Sequence, residues 1–140
     1  MRTTVSSVRR IQFASHIGNG TLTVFPIAQS GVPFNVRRVF TIAGVSERGQ
    51  RGNHAHRNCS QLVACLSGYA ELRIDDGKET QTVTMSADGV GFLIPPLLWN
   101  TVTFQDPAAV VVVFCDEPYD AADYVRDWEE YLRLNSNAST

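Results

Sequence analysis

His54 and His56 stand one residue apart in RGNHAHRNCSQ, residues 51–61, beside Arg51, Asn53 and Gln61. Imidazole is the side chain that both takes and gives a proton near neutral pH, and its neutral form is also a common metal ligand. Three readings are open: a pair of metal ligands, a pair of proton carriers, or polar residues on a strand. On a strand, residues two apart face the same side, so both rings point the same way. Burying two histidines beside Asn53, Gln61 and the later Asn100 costs free energy unless a ligand or neighbours satisfy them. That favours proton-transfer chemistry on a polar substrate.

The elements that position this pair read as strands. GTLTVFPIA (20–28), VRRVFTIAGV (36–45), QLVACLSG (61–68), YAELRIDDGK (69–78), TQTVTMSA (80–87), VGFLIPP (90–96), NTVTFQ (100–105) and AAVVVVFCDE (108–117) have strand length and β-branched or aromatic content. Asp75-Asp76-Gly77 marks a hairpin, because Gly77 can take the positive φ of a tight turn. Many short strands at close spacing predict an all-β sandwich or barrel. The tail differs. In YDAADYVRDWEEYLRL, Tyr124, Trp128, Tyr131 and Leu132 follow a helical spacing, predicting a short amphipathic C-terminal helix over 119–134 that packs on the barrel or on a second subunit.

The chain has 140 residues, a formal net charge of −2 and 44% hydrophobic residues, which suits one domain, 1–140, with its core over about 20–133. No basic stripe points to nucleic acid, and no apolar run reaches membrane-span length. Of twelve basic residues only Lys78 is lysine, a bias that suits bidentate phosphate contacts but also arises from base composition. Cys59, Cys65 and Cys115 lack C-x-x-C spacing; Cys65 and Cys115 fall in apolar runs and read as core residues. A reducing, cytoplasmic setting is expected.

A turn, then H-x-H, a polar residue and glycine, and a second block with Gly and Pro resembles the cupin jelly-roll barrel. Here the pattern runs through Gly52, His54, His56, Gln61 and Gly68, then Gly89 or Gly91, Pro95 and Asn100. Metal-binding cupins join the two histidines to a glutamate and a third histidine, where this chain carries Gln61 and Asn100. Neutral amides supply no charge to a divalent ion, so no metal and no other cofactor is expected.

Most of the chain is similar to one cupin family, the nucleotide-sugar 3,4-ketoisomerases acting on dTDP-4-keto-6-deoxyglucose. The resembling blocks are GTLTVFP with VPFNVRRVFTI, RGNHAHR, the QLVACLSGYAELRIDDG hairpin, GFLIPPLLW, and YDAADYVRDWEEYL, spanning about 20–133. The resemblance implies an isomerase moving a keto group from C4 to C3 through an enediol, in deoxyamino-sugar biosynthesis. It implies His54 as leading acid/base and His56 as its partner, with Arg38, Arg51, Asn53, Gln61, Trp99 and Asn100 holding the dTDP-linked keto-deoxysugar. It implies a homodimer that exchanges an N-terminal strand, here residues 20–28 ahead of Ser30-Gly31. Two departures stand out: the family commonly carries a histidine at Asn100, and an aromatic pair, often containing a tyrosine, at Phe40-Thr41. Two other readings stay open, a metal-dependent cupin using His54 and His56, and a non-catalytic nucleotide-sugar-binding cupin.

Overall fold

A computed structural model describes residues 2–27 and 31–137. Twelve strands run in chain order: β1 Arg9–Gln12, β2 Ser15–Gly18, β3 Gly20–Thr23, β4 Arg38–Ile42, β5 Gln50–His56, β6 Gln61–Ser67, β7 Tyr69–Asp75, β8 Thr80–Ser86, β9 Val90–Ile94, β10 Trp99–Phe104, β11 Val110–Cys115 and β12 Tyr124–Val125. Among the described residues one α-helix, α1, spans Trp128–Asn137. The strands make two five-stranded antiparallel sheets, β1-β9-β6-β11-β4 and β12-β5-β10-β7-β8, plus a separate β2-β3 hairpin. Without β1 and β12, the four-strand orders β9-β6-β11-β4 and β5-β10-β7-β8 are those of a jelly roll, as the cupin resemblance implies.

The core fills the space between the sheets. Leu72, Ile74, Met85, Phe104, Val111 and Cys115 are almost wholly buried there. It starts upstream of residue 20, where the sequence reading began it: Val5 joins the main cluster and Phe13 is buried against Val32 and Leu62. The expected strand over 20–28 is also shorter. It ends at Thr23, is preceded by β2, and its last residue, Ala28, lies outside the described residues, as does Ser30.

The tail departs further from expectation. Residues 121–123 form a 3-10 turn capped by the Asp120 side chain, residues 124–125 add a strand to β5, and the helix starts only at Trp128. The aromatic spacing that suggested one continuous helix is shared between a strand and a helix. Trp128 and Tyr131 pack against Trp99 on the outer face of the sheet, with ring centroids 5.2 and 5.6 Å away.

The Asp75-Asp76-Gly77 turn holds more than a reversal. Asp76 is 2% exposed, and its carboxylate accepts from the amides of Val5, Lys78 and Glu79 and from Arg2 at 2.7 Å. Asn135 of α1 donates to the Asp76 carbonyl at 3.0 Å. Burial by itself would raise the Asp76 pKa; the three amides and the Arg2 guanidinium outweigh it and hold it below the ordinary carboxylate value. A carboxyl more acidic in the folded chain than in the unfolded one adds stability above the unfolded pKa. That stability disappears as pH falls through the folded pKa. Melting temperature should therefore fall in acid from about pH 4 downward, and Asp76→Asn should flatten that limb. Asp76→Ala should cost about 3 kcal/mol in denaturant unfolding, because it strands a guanidinium and three amides.

Candidate active site

A cavity of about 380 Å³ opens between the two sheets. One wall is apolar except for Gln61: Phe40 and Ile42 from β4, Val63 from β6, and Val111 and Val113 from β11. The opposite wall carries the polar groups, with Arg51, Asn53 and His54 from β5, Asn100 from β10, and Tyr124 and Arg126 from the tail. Among the described residues, the charged ones on this lining are the two arginines, and no carboxylate lines it. Such a cavity favours an anionic, polar ligand with one apolar face.

A bulge sets the orientation of β5. Thr101 pairs with Gly52 and Asn100 with His54, so Asn53 is an extra residue in the ladder. Gly52 has φ +95° and its backbone lies so close to Asn100 that a Cβ would sit 2.9 Å from the Asn100 carbonyl oxygen. Asn53 has φ 57°, and its side chain accepts from the Thr101 hydroxyl at 2.9 Å. Alternation by twos would put Arg51 and His54 on opposite faces; the extra residue puts both on the cavity.

His54 lines the cavity, and His56 stands behind it, 3% exposed. Their rings meet edge to face, with centroids 5.0 Å apart, and both touch the Tyr124 ring, at 5.0 and 4.5 Å. His56 Nδ1 bonds Asp123 Oδ2 at 2.8 Å, while the Asn58 amide donates to Asp123 Oδ1 at 2.7 Å. An ionised carboxylate only accepts, so the bond puts the His56 proton on Nδ1 and leaves Nε2 with a lone pair. Among the described residues, His56 Nε2 and His54 Nδ1 are buried without a hydrogen-bond partner. Burial first, then the neighbouring His56 and Arg126, lowers the His54 pKa to about 4. Burial likewise lowers the His56 pKa, against the opposing pull of Asp123. Both rings are neutral at pH 7, which leaves His54 able to accept a proton.

The remaining residues that the sequence singled out divide. Gln61 and Asn100 line the cavity. The Gln61 amide donates to Cys115 Sγ at 3.6 Å, and the Asn100 amide lies 3.5 Å from the His54 carbonyl oxygen. Arg38 does not line it; its Nη2 donates to the Tyr124 hydroxyl at 3.2 Å and to Cys115 Sγ at 3.5 Å, behind the tyrosine. Trp99 lies on the other face of β10 from Asn100, because neighbours on a strand alternate, and it packs on α1 instead of the ligand space. Asp123, Tyr124 and Arg126 were missed as site residues. Their signal was present in YDAADYVR, where Tyr124 and Arg126 alternate with buried Asp123 and Val125 as a strand does.

The cavity suits a metal ion poorly. Its uncharged donors are one imidazole face, the Tyr124 hydroxyl and the neutral amides of Gln50, Asn53, Gln61 and Asn100, and the second imidazole is engaged by Asp123.

Residues 2–136 match the family described as FdtA: WxcM-like, C-terminal. The chain belongs to this family. Among FdtA-like proteins, a TDP-4-oxo-6-deoxy-alpha-D-glucose-3,4-oxoisomerase of Aneurinibacillus thermoaerophilus is 30% identical over 102 residues, 73% of each chain. Among solved structures, a histidine-to-asparagine mutant of the 3,4-ketoisomerase QdtA from Thermoanaerobacterium thermosaccharolyticum, in complex with TDP-4-keto-6-deoxyglucose, superimposes with a TM-score of 0.88. It is 28% identical, and the match covers 96% of this chain and 97% of that one. The TDP-fucose-3,4-ketoisomerase WlaRA from Campylobacter jejuni shares the fold at a TM-score of 0.85 and 24% identity, over 96% and 99% of the two chains. The fold class and the family implied by the FdtA-like sequence blocks are therefore both found.

Proposed function

We propose that this protein is a sugar-nucleotide 3,4-ketoisomerase that moves the keto group of a dTDP-4-keto-6-deoxyhexose from C4 to C3. One observation carries the chemistry: a neutral imidazole on the lining of a polar cavity, backed by a second imidazole whose tautomer a carboxylate fixes. His54 takes the proton from C3 while the C4 oxygen gains one, giving an enediol. The O3 hydroxyl then loses its proton as C4 receives one, and the ketone stands at C3. Asn100 and Gln61 offer amide hydrogens to the sugar oxygens. Arg51 and Arg126 hold the diphosphate with paired hydrogen bonds, and the valines take the apolar face of the ring. His56 accepts from His54 Nδ1 when the ligand closes the gap between the two rings, which keeps the lone pair of His54 Nε2 toward the sugar.

The decisive test is incubation with dTDP-4-keto-6-deoxyglucose in deuterated water. The expected product is a 3-keto isomer carrying solvent deuterium on the ring. Unchanged substrate with no deuterium uptake would end the isomerase reading.

The protein is further proposed to work as a cytoplasmic homodimer. Among the described residues no helix is long and apolar enough to cross a membrane. The β2-β3 hairpin joins neither sheet and presents Ile17 and Leu22, 86% and 62% exposed. A second copy covering this hairpin would bury them. Sedimentation equilibrium should give twice the chain mass, and Leu22→Asp should shift it toward a monomer; a wild-type monomer at all concentrations excludes the dimer.

A further inference from the structure

The groups behind the histidine pair do not belong to the cavity, and they have a chemistry of their own. One ring nitrogen of His56, the Cys59 thiol and a carboxylate oxygen of Asp123 lie within 4.8 Å of one another, and all three residues are buried. Imidazole, thiolate and carboxylate form a donor set characteristic of zinc, whose bonds of roughly 2.0–2.3 Å place tetrahedral ligands about 3.5 Å apart. The cluster needs little contraction to meet that. The Asn58 amide already orients the second Asp123 oxygen at 2.7 Å, as outer partners do in built metal sites. Cys115 is the largest influence on Cys59 and pushes its thiol pKa up. Neither cysteine is in a disulfide, and nothing in the proposed isomerisation uses Cys59.

We propose that His56, Cys59 and Asp123 form an inhibitory site for zinc or a similarly soft divalent ion. Binding releases one proton to solvent, from the Cys59 thiol, while the His56 proton passes from Nδ1 to Nε2 so that the ring binds as a neutral ligand. The ion replaces the hydrogen bond between His56 and Asp123, so the pair can no longer support His54. The site itself does not depend on the isomerase reading; only its effect on turnover does.

Cobalt(II) is the probe. Titrating the full chain with cobalt should give the intense visible bands of a tetrahedral ion and a sulfur-to-cobalt charge-transfer band, both displaced by zinc. Cys59→Ser should lose the charge-transfer band while keeping the wild-type circular dichroism and basal turnover. Zinc should suppress wild-type turnover, a chelator should restore it, and Cys59→Ser should be insensitive. If Cys59→Ser does not fold, Asp123→Asn should retain the sulfur band but bind cobalt more weakly. A pale octahedral spectrum from the wild type, or a sulfur band unchanged in Cys59→Ser, overturns the site. The cobalt spectrum involves no sugar, so failure of the isomerase reading alone would leave it intact.

Discussion

His54→Ala should lower turnover by about 10²–10⁴-fold, the usual contribution of a positioned proton-transfer group, while nucleotide affinity changes little. The expectation rests on where the ring sits. His54 lines the cavity, whereas the arginines proposed to hold the diphosphate, Arg51 and Arg126, are exposed at its mouth. Grip and chemistry are therefore carried by different side chains. Truncation also removes ring contacts with His56 and Tyr124, so the variant should be checked for an unaltered cooperative melt. Single-turnover assays with the keto-sugar nucleotide, alongside calorimetry with dTDP, separate the two effects. Full turnover in this variant would place the base on another residue.

Asp123→Asn should cost on the order of a hundredfold in turnover without displacing a single backbone atom. The Asn58 amide donates to Oδ1 at position 123, so the oxygen of an introduced asparagine stays there and its NH₂ turns toward His56. An NH₂ facing Nδ1 moves the ring proton to Nε2, the reverse of what the carboxylate enforces. His56 then presents a donor where the proposed relay requires an acceptor. Nitrogen-15 chemical shifts of His56 should report the exchanged tautomer. Loss of turnover without that exchange would make Asp123 a folding residue instead of a positioning one.

The sequence disclosed the barrel because its evidence there is local. β6 to β11 are apolar runs punctuated by turn residues, and each appears within three residues of its expected bounds, β11 two residues inside each end and β7 stopping at Asp75, three short of residue 78. The H-x-H pair was legible for the same reason, since alternation alone puts both rings on one face. What local pattern misses is decided by distant partners. The facing of Arg51 depends on one extra residue opposite β10, and alternation by twos assigns it to the wrong side. Trp99 adjoins Asn100 in sequence but faces α1, which only the docking of the helix reveals. Tyr124, Trp128 and Tyr131 fall at helical spacing, yet pairing of Tyr124 with His56 makes the first of them part of a strand. That pairing brings Asp123 to the imidazole, 67 residues away along the chain.

Buried Asp76 ties three pieces to one point, its carboxylate holding the segment from Arg2 to Val5 and the β7-β8 turn, and its backbone carbonyl holding Asn135 of α1. These peripheral pieces accordingly share a single clasp, and whatever loosens it should free them together. Since α1 also backs the short strand that presents Tyr124 and directly follows Asp123, an event at the far rim of the barrel can reach the imidazoles through the scaffold alone.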